Sequence, residues 1–257
     1  MAVSFGTTHH GTLDRTIAAV ERDLEAAFPG WPVHRAFTSG IVIERIAKRD
    51  GAAPDSVAQA LARLAADGVE EVVVQPLHLL CGTEYHRLLG EVGPYTDEFE
   101  RLEVGLPLLA SSDDHLRVAA AIGRVAGGCG PDEALLLMGH GSSHPANAAY
   151  AVLGATLHAA GYDRVLIATA EGSPTPEDAF ARLGILGVRR VTLMPFMLVA
   201  GEHAIVDMAG DHETSWRRAI ERRGYEVTPR LIGLGEMPEI RQIYVDHALA
   251  AAGKARA

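Results

Sequence analysis

Two stretches of the chain repeat each other closely enough to restrict its fold. Val72-Val73-Val74-Gln75-Pro76-Leu77-His78-Leu79-Leu80-Cys81-Gly82 aligns with Val191-Thr192-Leu193-Met194-Pro195-Phe196-Met197-Leu198-Val199-Ala200-Gly201, with proline and glycine coinciding at a constant offset of 119 residues. Each begins as a short apolar run bounded by breakers, the pattern of a strand covered on both faces. The opening Ser4-Phe5-Gly6-Thr7-Thr8 corresponds to Gly139-His140-Gly141-Ser142-Ser143 at a different offset, so loop lengths differ between the copies. A run of ordinary βα units would produce some likeness, but not the coincident proline and glycine. The chain is therefore read as one α/β plan used twice. Two such halves imply a bilobed molecule with a cleft between them, a favoured place for ligands.

Strand-like and helix-like segments alternate throughout, which indicates βαβ units around parallel sheets. In the first half, strands are expected at Ala2–Phe5, Val33–Phe37, Val72–Val74 and within Leu102–Leu109. A first helix capped by Thr12 or Asp14 carries the apolar stripe Leu13, Ile17, Val20, Leu24 and Phe28. Further helices are expected over Ile41–Arg49, from Pro54 onward, over Tyr85–Val92 and over Asp113–Val125. The stretch Gly127-Gly128-Cys129-Gly130-Pro131 reads as a linker. The second half repeats the plan: strands Leu135–Met138, Val165–Thr169, Val191–Met194 and Val227–Ile232, with helices Ala146–Ala159, Pro176–Leu186, Ile205–Arg222 and Pro238–Ala251. The expected domains are residues 1–127 and 132–257.

Composition narrows the function classes. The chain has 257 residues, 48% of them apolar, with 33 acidic residues against 23 basic and a net charge of −10. That balance argues against nonspecific nucleic-acid or anionic-membrane binding. No apolar run approaches the ~20 residues needed to span a bilayer. Cys81 and Cys129 form no C-x-x-C motif, so neither a disulfide framework nor a zinc ribbon is expected. The start of the chain has no basic segment followed by a long apolar one, which makes a cytoplasmic protein the default. The abbreviated first strand is also what a removed export leader would leave.

Chemistry-bearing residues gather at strand ends of the second half. Leu135–Met138 runs into Gly139-His140-Gly141, which puts His140 on the rim where open α/β sheets bind ligands. Ser142 or Ser143 can cap the helix that follows, and Pro145 suits its first turn. The next strand ends in Ala170-Glu171-Gly172, and the one after in Ala200-Gly201-Glu202-His203. Three successive strands thus deliver His140, Glu171 and His203 at their carboxyl ends. The first half has Phe5 opposite His140 and no carboxylate near Thr38. Neutral imidazole and carboxylate together suit a first-row divalent metal such as Co, Ni, Fe or Zn, and three protein ligands leave an open position. The ligands lie about thirty positions apart and form no local motif, so an acid–base pair, or polar groups that only tie down loops, are the competing readings. No Walker lysine or complete G-x-G-x-x-G is present, so no nucleotide is expected. G-x-S-x-G is not satisfied at Gly141-Ser142-Ser143. His9, His10, His78 and His86 are read as structural. Glu202 is read as a loop hydrogen-bonding group. Asp207 and Asp211, at i and i+4 after His203, are either support for the site or a solvated helix face.

The segments Ser4-Phe5-Gly6-Thr7, Gly139-His140-Gly141-Ser142-Ser143-His144-Pro145 and Pro195–His203, with Asp207-Met208-Ala209-Gly210-Asp211, resemble the anaerobic-pathway sirohydrochlorin cobaltochelatases. These are class II tetrapyrrole chelatases, and the resemblance runs over essentially the whole chain. It implies two Rossmann-like lobes related by pseudo-symmetry around a tetrapyrrole cleft that bends the macrocycle. It also implies ATP-independent insertion of Co2+ into sirohydrochlorin on the route to cobalamin. His140, Glu171 and His203 match the family's metal ligands, and the two histidines match its catalytic residues. The metal is a substrate, with Fe2+ as the alternative. A sirohydrochlorin ferrochelatase or a non-catalytic metal or tetrapyrrole carrier would use the same scaffold. The substrate carries eight carboxylates, and the sequence does not single out the arginines that meet them. A homo-oligomer is compatible with the sequence but not indicated by it.

Overall fold

Eight short strands rich in Val, Leu and Ala form two parallel four-stranded sheets in a computed structural model that describes residues 1–253. The chain divides into two compact units. Unit 1 comprises Met1–Ala110 together with the chain from Ile240 onward, and unit 2 comprises Ser111–Glu239.

Unit 1 contains β1 (Ala2–Ser4), β2 (Arg35–Phe37), β3 (Glu71–Pro76) and β4 (Arg101–Val104), in the order β2-β1-β3-β4. Its first helices are α1 (His10–Arg15), α2 (Ile17–Ala27), α3 (Gly40–Asp50), α4 (Val57–Ala66) and α5 (Thr83–Val92). The single helix expected across Leu13–Phe28 is broken at Thr16, whose backbone leaves helical geometry at φ −116° and ψ −84°. Thr16 is fully buried, and its hydroxyl donates to the Thr12 carbonyl at 2.6 Å. That bond offers the chain an alternative to helix continuation. The helix expected from Pro54 onward begins at Val57, capped by Ser56 in a reciprocal capping box with Gln59. Val3, Leu61, Val74 and Leu88 are among the fully buried residues of this unit's core. Each such side chain contributes about 1.5–3 kcal/mol of transfer free energy.

Unit 2 opens with α6 (Ser112–Ala126) and then repeats the plan of unit 1. β5 (Glu133–Gly141), β6 (Val165–Glu171), β7 (Arg190–Pro195) and β8 (Glu226–Pro229) take the order β6-β5-β7-β8, equivalent strand for strand to unit 1. This is the duplicated parallel α/β architecture that the internal repeat implies. α7 (Ala148–Ala159), α8 (Pro176–Leu186) and α9 (Trp216–Glu221) complete the unit. Its core includes Leu136, Met138, Leu193 and Ile220, and Phe180 meets Trp216 edge-on with ring centres 6.3 Å apart. The helix expected over Ile205–Arg222 is two pieces: a π-helical turn at Ala204–Met208, then α9 after a break at Gly210–Ser215. Ser215 starts α9 by accepting the Arg218 N–H.

The units do not divide at the glycine-rich stretch 127–132, so the expected domains 1–127 and 132–257 need correction. α6 belongs with unit 2. A Cβ on its Gly123 would fall 2.1 Å from the Tyr162 ring, so helix and ring approach as closely as glycine permits. α10 (Pro238–Ala251) belongs with unit 1 from Ile240 on. The Tyr244 hydroxyl donates to the Leu77 carbonyl at 3.2 Å, and Arg241 pairs with Asp23 at 2.6 Å. Residues 254–257 of the second expected domain lie outside the described residues. Among the described residues no helix is long and apolar enough to cross a membrane, and neither Cys81 nor Cys129 is in a disulfide.

Candidate metal centre

Leu135–Met138 of β5 are at most 1% exposed, because the strand lies between β6 and β7 with both faces covered. The polar residue that follows has to emerge where that cover ends, and His140 is exposed on the last turn of the strand. Two glycines shape the exit. A Cβ on Gly139 would stand 2.5 Å from the ring of Tyr150 on α7. Gly141 has φ +82°, and a Cβ there would lie 1.7 Å from the Glu171 carbonyl oxygen. Only glycine tolerates both the left-handed conformation and that approach. The Tyr150 phenol is pushed up to about 12 by burial, against the opposing effect of a backbone hydrogen bond with Gly141. The tyrosine is thus a neutral prop under the turn.

The same turn is tied to the end of β6. Gly141 and Glu171 are register partners across β5 and β6. Asn147, which is buried, accepts the Ser142 N–H at 2.9 Å and donates to the Ser173 carbonyl at 2.5 Å. One side chain therefore clamps the loop after His140 to the loop after Glu171. The cap of the short helical turn Pro145–Asn147 is His144, whose Nδ1 accepts the Ala146 N–H at 3.1 Å. Ser142, expected to cap that helix, instead accepts the His144 N–H at 3.0 Å.

His203 immediately precedes the π-helical turn Ala204–Met208 that follows β7. The turn is closed by Ala209 N–H donating to the Ala204 carbonyl at 3.1 Å and is anchored by Ala204 and Met208, both fully buried. π turns are rare and concentrate at functional sites. Here the turn keeps His203 exposed while its two ends are fixed.

The structure brings His140 and His203 together, with ring centres 4.9 Å apart and planes at 89°. A metal–nitrogen bond of about 2.1 Å puts a ring centre about 3.2 Å from the ion, so two rings at 90–110° around one ion stand about 4.5–5.2 Å apart. The observed spacing falls in that range. His140 Nδ1 lies 3.1 Å from the Gly141 carbonyl, and His203 Nδ1 lies 2.6 Å from Asp207 Oδ2. A carbonyl and a carboxylate only accept, so both Nδ1 atoms carry hydrogen. In the neutral rings both Nε2 lone pairs are then free for a metal. Glu171 is exposed at the end of β6, one strand over from the His140 turn. Its carboxylate is not gathered with the imidazoles: among the described residues no three His, Cys, Asp or Glu side chains form a ready metal cluster.

The remaining candidates separate. Asp207 supports His203, whereas Asp211 pairs with Arg217 and Arg218. His78 is buried, its two ring nitrogens find no partner among the described residues, and burial lowers its pKa to about 4. It is a neutral core residue, as befits the position opposite Met197. His86 is exposed on α5, and His10 pairs at the surface with Asp50 at 3.4 Å. The sequence reading overlooks Glu84. The offset of 119 that aligns Pro76 with Pro195 also aligns Glu84 with His203. In unit 1 the Glu84 carboxylate accepts the hydroxyl of Thr38, just past β2, at 3.0 Å. The repeat itself was the signal that could have found it.

The pattern of the cobalt chelatase (CbiK) family matches residues 1–253. The chain belongs to the cobalt chelatase family. Over 247 residues it is 41% identical to the sirohydrochlorin cobaltochelatase of Salmonella typhimurium, covering 96% of this chain and 93% of that protein. It is 38% identical over 241 residues to the sirohydrochlorin cobaltochelatase CbiKC of Nitratidesulfovibrio vulgaris, covering 93% of this chain and 85% of that one. Two solved structures share the chelatase's fold at low identity. SirB from Bacillus subtilis with Fe3+ superposes with a TM-score of 0.64 at 13% identity, covering 98% of this chain and 94% of that one. SirB from Bacillus subtilis subspecies spizizenii in complex with cobalt gives 0.63 at 12%, with the same coverage.

Proposed function

We propose that this cobalt chelatase inserts Co2+ into sirohydrochlorin without ATP, with His140, Glu171 and His203 as the metal site. The observation that carries the site is the imidazole pair: two rings at single-ion spacing, each with Nδ1 committed to an acceptor and Nε2 free. Membership of the cobalt chelatase family and the names of the two relatives support the choice of metal and macrocycle.

The chemistry balances without a nucleotide. The free-base macrocycle gives up two pyrrole protons and receives a dication, so no electron changes hands. His140 and His203 hold Co2+ through Nε2, and Glu171 completes the protein ligands and offsets part of the charge. Three protein ligands leave positions open for the incoming nitrogens. As nitrogens replace imidazoles on the metal, the released rings are bases placed to accept the departing protons. Because the site sits on two strand ends and an anchored turn, the ligands are held by rigid elements, which lowers the reorganisation needed in the reaction.

The test is anaerobic mixing of the protein with sirohydrochlorin and Co2+, followed by absorbance. Wild type converts the macrocycle rapidly. His140→Ala and His203→Ala each lose at least the roughly 100-fold that removal of a supporting group can cost. Undiminished conversion in both variants would refute the site. Turnover with Fe2+ but not Co2+ would move the function to a ferrochelatase, and tight binding with no turnover of either metal to a carrier.

A further inference from the structure

Asp207 and Asp211 are indistinguishable in the sequence, four residues apart on what reads as one helix. The structure separates them. Asp211 is 78% exposed and is neutralised by two guanidiniums, those of Arg217 and Arg218. Asp207 is half-exposed and meets the imidazole of His203, Oδ2 to Nδ1, at 2.6 Å. The element that carries Asp207 is held on both sides. Ala204 and Met208 anchor it in the core, and the His212 ring nitrogen Nε2 lies 2.9 Å from the Val206 carbonyl. The partners of the two metal-site rings also differ. His140 Nδ1 faces a neutral carbonyl at 3.1 Å, whereas His203 Nδ1 faces a carboxylate at the shorter distance.

We propose that Asp207 is a positioning residue for metal binding: its carboxylate holds His203 in the Nδ1–H tautomer and in the ring orientation that presents Nε2 to the cation. The inference deepens the proposed metal site and rests on His203 being a ligand. An exposed imidazole–carboxylate contact of this kind contributes little to stability, so its consequence is orientation and ligand strength rather than folding. A carboxylate accepting from one ring nitrogen strengthens the other nitrogen as a donor to metal. Without Asp207, the His203 ring is free to turn over and to carry its hydrogen on Nε2. It would then have to change tautomer before it could ligate. The carbonyl beside His140 does the same for that ring with less charge.

The experiment uses the full-length protein and two readouts independent of turnover. Ring-nitrogen NMR of 15N-histidine-labelled protein, at about two pH units above the ordinary imidazole pKa, reports the tautomer of each ring. Titration with Co2+ alone reports affinity. Asp207→Ala is expected to shift His203 towards Nε2–H, leave His140 unchanged and lower Co2+ affinity about 10–100-fold. Asp207→Asn loses the charge and can turn its NH2 to Nδ1, which favours the Nε2–H tautomer, so it is expected to lower affinity as Asp207→Ala does. Asp211→Ala is the control and stays within about twofold. His203→Ala separates the two ways of failing. If it leaves Co2+ affinity intact, the metal site is misplaced and the inference falls with it. If it abolishes binding while Asp207→Ala changes neither tautomer nor affinity, the metal site stands and the inference alone is overturned.

Discussion

Replacing His78 by methionine stabilises the protein, and the gain is larger at pH 5 than at pH 7.5. His78 follows β3 in unit 1, with its main chain engaged: its carbonyl accepts the Leu108 N–H at 3.0 Å and faces the Tyr244 hydroxyl at 3.4 Å. Its side chain is buried with both ring nitrogens lacking a partner among the described residues. Burial therefore lowers the folded-state pKa from 6.5 to about 4. Between those values the unfolded chain binds a proton that the folded chain refuses, so stability falls as pH falls through 6.5 towards 4. At pH 5 the linkage costs about 2 kcal/mol, at pH 7.5 less than about 0.1, and below pH 4 it levels off near 3 kcal/mol. A pH-independent cost of about 1–3 kcal/mol for the unpartnered polar group adds to this. Methionine, the residue at the equivalent position 197, removes both. The assay is urea denaturation followed by circular dichroism at several pH values, taking the variant-minus-wild-type difference so that all other titrating groups cancel. The difference should grow by about 2 kcal/mol from pH 7.5 to 5. A difference that stays flat over that range would show that the ring is not held neutral in the fold, and the reasoning fails.

Two further outcomes test how the turns of the proposed metal site are held. Gly141→Ala should cost about 3 kcal/mol or more, since it combines a left-handed backbone with a Cβ placed 1.7 Å from the Glu171 carbonyl. Thermal melting reads this directly, and Co2+ titration of the folded fraction should show weakened binding as β5 and β6 part; a variant with wild-type melting and affinity would remove the argument for glycine there. Asn147→Ala removes the hydrogen bonds to the Ser142 N–H and to the exposed Ser173 carbonyl, at about 0.5–1.5 kcal/mol each. If the clamp aligns His140 with Glu171, Co2+ affinity falls at temperatures where the variant is folded; unchanged affinity there would limit Asn147 to a structural role.

Much of the proposed site is readable in the sequence because its cues are local. Gly139-His140-Gly141 after four consecutive apolar residues reads as a strand exit, and β5 ends at Gly141; Gly201-Glu202-His203 reads the same way, but β7 ends at Pro195 and a loop carries the chain on to His203. The features that refine the site were not readable. Ser142 and Ser143 both read as caps, yet His144 takes that role because its ring reaches the Ala146 N–H. A continuous helix was the simplest reading of Ile205–Arg222, but Gly210 sits where a Cβ would stand 2.3 Å from the Val206 carbonyl, and the chain breaks around it. Glu84 carries no local motif of its own; only the offset of 119 residues that relates the halves sets it opposite His203.

The amino-acid order alone determined the succession of strands and helices, the parallel architecture, its use twice over, and the place of His140 at a strand end. Hydrophobic period, proline and glycine act over a few residues, so they are visible without the fold. Tertiary structure decided which sheet each helix covers: α6 joined unit 2 and α10 returned to unit 1, although the composition of 127–132 marks a boundary. It also decided that two imidazoles more than sixty residues apart stand 4.9 Å from each other, and that Asp207 rather than Asp211 supports one of them. Such pairings depend on the register of distant backbone segments, set by the summed burial of both cores, and no short stretch of sequence carries that sum.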